Sequence, residues 1–351
     1  MRKAQQLITI FTPAHADAAY TNAQQLTVKE IVVRLPPERF RVAMFSGEQP
    51  DPRIAARPNT LLIPARRHGK TPRFLTRLLL ARPDIYFYPS FGPLDDIFFS
   101  LRSKLRLKIA VVTHVVIIIN DSTAKLMARS IREADAVFAN SRYVAETVRS
   151  RFGIEAGTIH NGIDRRFFFP REESSRPGAL VVLYAGSFQA RKRVELTIQQ
   201  AARHPQVQFR LAGRGETESA CRALAQQLNC HNVEFLGHLT PMELGAEMRK
   251  SDMFLFPSIL EGHPQVLGQA SACGLPSIAM NLYRPDYVLN GETGFLVESD
   301  LELAEKLELL LQDADLRRSM SRAAALHALN FDWDRIALQW QEAFEAVTAK
   351  R

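Results

Sequence analysis

Ten apolar runs, each followed by an amphipathic stretch, constrain this chain more than any other feature. They are LITIF (7–11), RVAMF (41–45), DIYFY (84–88), KIAVVTHVV (108–116) and AVFAN (136–140), then LVVLYAG (180–186), QFRLAG (208–213), VEFLG (233–237), MFLFP (253–257) and PSIAM (276–280). Consecutive apolar positions describe a strand buried on both faces, and alternation with helical patterns puts parallel strands beneath covering helices. A chain of 351 residues exceeds one average domain, so the expectation is two doubly wound α/β units. The polar, Pro- and Gly-bearing segment REESSRPG (171–178) is the expected linker. Near the end, Trp333, Ile336, Trp340, Phe344 and Val347 fall at steps of three and four. That spacing predicts a helix whose apolar stripe must be covered, packed across the junction of the two units.

Composition narrows the class further. Hydrophobic residues make up 46% and charged residues 23%, which excludes disordered and collagen-like chains. Cys221, Cys230 and Cys273 form no C-x-x-C pair, so neither a zinc site nor a disulfide framework is expected, and a reducing cytoplasm fits. No run is long enough to cross a bilayer, and the start MRKAQQLITIF reads as a first strand, not a signal peptide.

Charge divides the chain unequally. Residues 1–170 hold 26 Lys/Arg against 14 Asp/Glu, a balance of +12, whereas residues 171–351 balance at −4. Within the basic half, 71–82 reads as a helix with Phe74, Leu75, Leu78 and Leu79 on one face and Arg73, Arg77 and Arg82 at its edges, preceded by Arg66, Arg67 and Lys70. Two readings stand, a helix lying on anionic membrane or a sheet-covering helix with a solvated rim. No DNA or RNA motif accompanies the charge, so nucleic acid is not an expected partner.

A phosphate-binding βαβ unit needs a glycine turn at a strand's carboxyl end. The first such turn, FTPAHADAAYTNAQQ, has no glycine and the G-x-G-x-x-G fingerprint is absent, which disfavours a nicotinamide-dependent oxidoreductase. The second half carries three candidate turns. Gly186-Ser187-Phe188-Gln189-Ala190-Arg191-Lys192-Arg193 follows LVVLYAG, Gly213-Arg214-Gly215-Glu216 follows QFRLAG, and Ser258-Ile259-Leu260-Glu261-Gly262-His263-Pro264 follows MFLFP. Three strand ends with polar, turn-forming groups and cations suit a diphosphate ligand.

These residues resemble the glycosyltransferase family 4 group of retaining, GT-B-fold sugar-nucleotide transferases. The likeness rests on ADAVFANSRYVAETV, IHNGIDRRFFFP, YAGSFQARKRVELTIQQAA, LAGRGE, VEFLGHL, EGHPQVLGQASACGLPSIA and NGETGFLV in this order. It implies two facing Rossmann-like domains. Residues 1–170 would bind the acceptor, 171–330 the sugar nucleotide, and 331–351 would form a helix crossing back to the first domain. By resemblance Lys192 neutralises the donor diphosphate, joined by Ser187, Arg191, Gly262 and His263. Glu261, the first glutamate of the family's E-x7-E pattern, holds the donor sugar, and His114 approaches that sugar from the acceptor domain. Gly213, Gly237, His238, Leu239 and Gln269 take the nucleoside. Plainer alternatives are a solvated Lys192, a Glu261 that caps the next helix and a His114 that is an interior histidine.

The chain also departs from the family pattern. Gln269 replaces the second glutamate, which predicts weaker donor binding, since an amide lacks charge-assisted strength. Ser187 replaces an arginine, for which Arg191 or Arg193 would substitute. Tyr20-Thr21-Asn22 stands where a glycine-rich loop is usual, and His160 where proline is usual.

The implied reaction moves a sugar from a nucleotide-diphosphate sugar to a hydroxyl of a saccharide or lipid-linked acceptor with retention of configuration. Its setting would be bacterial surface polysaccharide or glycolipid synthesis, in the cytoplasm or at the inner face of the membrane. Neither a cofactor nor a metal is expected, and helix capping accounts for the acidic pair Asp332-x-Asp334 better than metal binding, while Asp95-Asp96 is a second pair of that kind. The rival readings are a non-catalytic GT-B-fold scaffold or sugar-nucleotide-binding protein, and a GT-B nucleotide-sugar epimerase.

Overall fold

All ten apolar runs contain a strand. The computed structural model describes residues 7–18, 23–64, 76, 78, 80–88, 92–171 and 178–350. β1 (Ile8–His15), β2 (Phe40–Ser46), β3 (Thr60–Pro64), β4 (Ile85–Phe87), β5 (Ala110–Val115), β6 (Ala136–Ala139) and β7 (Gly157–Thr158) form one parallel sheet. Among the described residues it has seven strands in the order β3-β2-β1-β4-β5-β6-β7. β8 (Val181–Ala185), β9 (Gln208–Ala212), β10 (Val233–Gly237), β11 (Met253–Phe256), β12 (Ser277–Met280) and β13 (Gly294–Val297) form a second parallel sheet, ordered β10-β9-β8-β11-β12-β13. The short strands β3, β7 and β13 are the ones the apolar runs do not mark.

Both sheets wind outward from their first strand and then restart on its other side. The reversal lies between β1 and β4 in one and between β8 and β11 in the other. Adjacent loops diverge at such a switch point, which opens a crevice at the carboxyl ends of the strands where ligands of this fold bind.

The chain divides into residues 1–161 with 333–351, and residues 162–332. This corrects the boundaries at 170/171 and 330/331. The stretch after Gly162 is held by the second unit: Ile163 N–H donates to Phe331 O at 2.7 Å, and Arg249 donates to Phe167 O at 2.8 Å. The Arg249 guanidinium also lies 4.0 Å from the centre of the Phe169 ring. Within 171–178, residues 172–177 lie outside the described residues.

The terminal helix Trp333–Ala349 is built into the first unit. Trp333, Ile336, Trp340, Phe344 and Val347 share one buried cluster with Ile10, Val42, Ile85, Phe87 and Val112 of the first sheet. Trp340 packs 4.9 Å from Phe87 and 5.3 Å from Phe138 between ring centres. Arg34 and Arg39 then clamp the helix through Asp334 (2.6 Å) and Glu345 (2.8 Å). The stripe is therefore core of this unit. Burying two tryptophans and three aliphatic or aromatic side chains, at about 1.5–3 kcal/mol for each ordinary apolar residue, makes the helix integral to this unit.

On the other face of the first sheet, Leu78 is buried with Phe11, Tyr86 and Phe98, while Leu80 is exposed. Most of 71–82, including Phe74, Leu75, Leu79, Arg73 and Arg77, lies outside the described residues, as do Arg66, Arg67, Lys70 and Tyr20-Thr21-Asn22. No described helix is long and apolar enough to cross a membrane.

Candidate active site

The site is built at the β8/β11 switch point of the second unit, and glycine explains how its loops meet there. Gly186 N–H donates to Ala212 O (3.0 Å), Phe188 N–H to Arg214 O (2.8 Å) and Gly213 N–H to Gly237 O (2.6 Å). The turns after β8, β9 and β10 are thus sewn together by backbone. A β-carbon on Gly213, whose φ is +137°, would stand 1.8 Å from Gly186 O, and one on Gly215 would stand 2.3 Å from Phe188 O. Only glycine permits both contacts.

From this frame the chain runs through a short 3-10 turn, Ala190–Lys192, to Arg193 in the left-handed region (φ 53°), and then into the helix Val194–Arg203. The turn separates its three cations. Arg193 pairs with Asp300, the first residue of the helix after β13. Arg191 donates to Leu260 O and to Glu261 Oε1, each at 2.7 Å. Lys192 Nζ lies 2.6 Å from the same Oε1 and 4.8 Å from the centre of the Phe256 ring. Ser258 Oγ completes the set, donating to Oε1 at 2.5 Å. The loop after β11 is tied to the loop after β8 by backbone as well, Ile259 N–H donating to Arg191 O at 3.0 Å.

Lys192 and Glu261 are both buried, whereas Arg191 is one third exposed. Burial pulls the Lys192 ammonium below the ordinary lysine range, and the Glu261 carboxylate acts against that shift. The plain readings of these two residues are thereby corrected. Lys192 is not a solvated lysine, and Glu261 does not cap the following helix, whose N-cap is Pro264 and whose first residue is Gln265. Gly262 and His263 accordingly stand in the loop ahead of that helix and not in its first turn. The His263 ring stacks on Tyr287 with ring centres 4.0 Å apart.

The remaining nucleoside candidates sit on neighbouring strand ends. Gly213 and Gly237 belong to the sewn turns, exposed His238 and half-buried Leu239 follow β10, and half-buried Gln269 lies on the helix Gln265–Ala272. Ser187 contributes its carbonyl to the Tyr184 hydroxyl at 3.3 Å. The motif reading passed over Ser258 and Phe256 as site residues. Their position at the end of the strand across the switch point from β8 was the available signal.

His114 belongs to the first unit. Its ring is fully buried between Trp340 (4.8 Å) and Tyr88 (5.5 Å), and Nε2 is 3.3 Å from Ile159 O. A carbonyl only accepts, so Nε2 carries the proton, and Nδ1 has no hydrogen-bond partner among the described residues. Burial pushes the imidazole down to about 3, leaving it neutral near pH 7. The two acidic pairs serve structure. Asp95 accepts from the Tyr86 hydroxyl at 2.5 Å and from Gly92 N–H, Asp96 pairs with Arg129, and Asp332 and Asp334 pair with Arg165 and Arg34.

Two adjoining family descriptions match this chain, Glycosyltransferase Family 4 over residues 24–167 and Glycosyl transferases group 1 over residues 166–327. The chain belongs to this group. Within it, a D-inositol 3-phosphate glycosyltransferase of Pseudarthrobacter chlorophenolicus is 30% identical over 243 residues, which cover 62% of this chain and 57% of that protein. The chain thus spans less than two thirds of the length of that relative. Two solved structures share the GT-B fold. Sucrose-phosphate synthase from Thermosynechococcus elongatus superposes with a TM-score of 0.77 at 20% identity, covering 99% of this chain and 100% of the other. Anabaena HepE, solved with UDP and glucose, gives 0.75 at 18% identity over 97% and 100%.

Proposed function

We propose that this group 1 member is a retaining glycosyltransferase that moves a sugar from a nucleoside-diphosphate sugar to a hydroxyl of a saccharide or glycolipid acceptor. The observation that carries the proposal is the convergence of Arg191, Lys192 and Glu261 on glycine-built strand ends at the β8/β11 switch point. Cations held there meet the charge that builds up on a leaving diphosphate, the place where electrostatic stabilisation lowers a barrier most. HepE, crystallised with UDP, supports uridine as the first base to test.

In the proposed reaction the acceptor oxygen attacks the anomeric carbon from the face the leaving group departs. The bond from that carbon to the β-phosphate oxygen breaks, and this oxygen receives the acceptor's proton. Lys192 and Arg191 hold the departing diphosphate together with Ser187 of the loop after β8 and Gly262 and His263 of the loop after β11. Glu261 orients the donor sugar, and Gln269 with Gly213, Gly237, His238 and Leu239 receives the nucleoside. His114, neutral and sealed between Trp340 and Tyr88 in the first unit, is given no contact with the donor sugar in this reaction, and His114→Ala is expected to leave the chemical step intact where the unit still folds. No metal or cofactor has a step in this mechanism, so excess EDTA is expected to leave the rate unchanged.

The proposed setting is bacterial surface polysaccharide or glycolipid synthesis on the cytoplasmic side, with the basic half against anionic lipid. Salt-sensitive flotation with anionic liposomes, lost on Arg73 and Arg77 charge reversal, is the check. Function itself is tested by a thermal-shift panel of UDP, GDP, ADP, dTDP and NAD. A ligand at about 100 times its Kd adds roughly 2.7 kcal/mol to stability. One responding nucleotide selects the sugars to assay, and the anomeric configuration of the product tests retention. Silence across the panel would favour the non-catalytic reading that Ser187 and Gln269 suggest.

A further inference from the structure

Three donors converge on a single oxygen of Glu261. Oε1 accepts from Lys192 at 2.6 Å, Arg191 at 2.7 Å and Ser258 at 2.5 Å. Two of these donors are the cations that the proposed function assigns to the donor diphosphate. Arg193, the third cation of the turn, is drawn off by Asp300.

We infer that Glu261 is an internal anion paired with the two diphosphate cations, Arg191 and Lys192, so that nucleotide binding is an exchange of one anion for another. The inference rests on the donor-site reading above and adds to it a sign. An incoming diphosphate must win Arg191 and Lys192 from a carboxylate already in hydrogen-bond contact with both. Solvent screens this competition little at Lys192, whose side chain is one tenth exposed, and more at Arg191, which is one third exposed.

The exchange treats substrate and product differently. A sugar nucleotide brings hydroxyls to the carboxylate that it displaces from the cations, so Glu261 gains a new partner. A nucleoside diphosphate without its sugar offers none. Glu261 therefore favours the loaded donor over the spent nucleotide, and once the sugar has left, it reclaims Lys192 and Arg191 and speeds product release. Arg191, which shares Oε1 of Glu261 with Lys192, becomes a specificity-determining residue in the same exchange.

The test is calorimetry on the full chain with inorganic pyrophosphate, UDP and UDP-glucose. Glu261→Gln keeps the side-chain volume and an acceptor oxygen but removes the competing charge. It is expected to bind pyrophosphate and UDP about tenfold more tightly than wild type, equivalent to 1.4 kcal/mol, while the preference for UDP-glucose over UDP shrinks. Arg191→Gln shifts pyrophosphate affinity several-fold in the opposite direction. Should Glu261→Gln fail to fold, Glu261→Asp retains the charge but withdraws it by one methylene, and a smaller gain of the same sign is expected. Wild-type binding that either Glu261 variant leaves unchanged or weakens overturns the exchange while the donor-site reading stands. A wild type that binds neither pyrophosphate nor any nucleoside diphosphate overturns both.

Discussion

The two units wind their sheets alike but close their first turns by different means. Where the turns after β8 and β9 meet, backbone packs on backbone: Gly213 lies against Gly186 O and Gly215 against Phe188 O with no room for a β-carbon, and the cationic side chains of Arg191 and Lys192 take no part in that closure. After β1, side chains do the closing. The Asp17 carboxylate accepts Gly47 N–H at 2.8 Å and Ser46 Oγ at 3.4 Å, and Lys29 Nζ donates to Asp17 O at 3.1 Å. One winding therefore supports two kinds of turn. A turn closed by glycine backbone leaves its side chains for a ligand, whereas a turn closed by side chains has spent them on the fold.

That contrast is open to direct attack. The largest effect is expected from Gly213→Ala, which combines a left-handed φ with a backbone clash and costs the second unit about 4 kcal/mol or more. Asp17→Ala in the first unit removes one acceptor and costs about 1–3 kcal/mol. Denaturant unfolding of both variants, read as two transitions, measures the gap, and equal losses would end the distinction.

Next in size, Lys192→Ala should lower kcat by about 10²–10³, as loss of a donor to developing negative charge does elsewhere. A steady-state assay with the sugar nucleotide selected by the thermal panel checks it. A rise in KM alone would show that Lys192 holds ground state and transition state equally.

The first unit also carries an acid sensitivity of its own. Between the ordinary histidine value of 6.5 and about 3, the unfolded chain binds a proton at residue 114 that the folded chain does not. Stability contributed by the neutral ring is complete above 6.5 and falls as pH drops through this window, by at most about 1.4 kcal/mol per pH unit. Unfolding midpoints from pH 7 to 4 should decline less steeply in His114→Gln. The smallest effect is expected at Gln269→Glu, where a charge-assisted hydrogen bond to the ribose tightens nucleotide binding by about threefold to tenfold in titration calorimetry.

Much of the fold was legible because its signals are local. Apolar runs such as LVVLYAG and MFLFP can only be strands buried on both faces, and they are. β3 and β7 escaped because one is a half-buried edge strand and the other spans two residues, too little for a pattern. In the site, Lys192 and Glu261 were visible as motif residues. Ser258 was not, because a serine after a strand has no distinguishing pattern until the fold carries its hydroxyl to Oε1 of Glu261.

By itself the sequence determined the two doubly wound α/β halves, the glycines at the strand ends of the second and the family to which the chain belongs. These follow from hydrophobic periodicity, backbone sterics and ordered motifs, each readable over a few residues. Only the tertiary structure decided which cation meets Glu261. Arg191 and Arg193 are equal in composition and two positions apart, but a left-handed turn at Arg193 sends one to Leu260 and Glu261 and the other to Asp300. It also decided that the tryptophan stripe completes the first core and that His114 lies sealed beside Trp340. In each case the deciding partner lies tens to hundreds of residues away along the chain, and only folding brings it into contact.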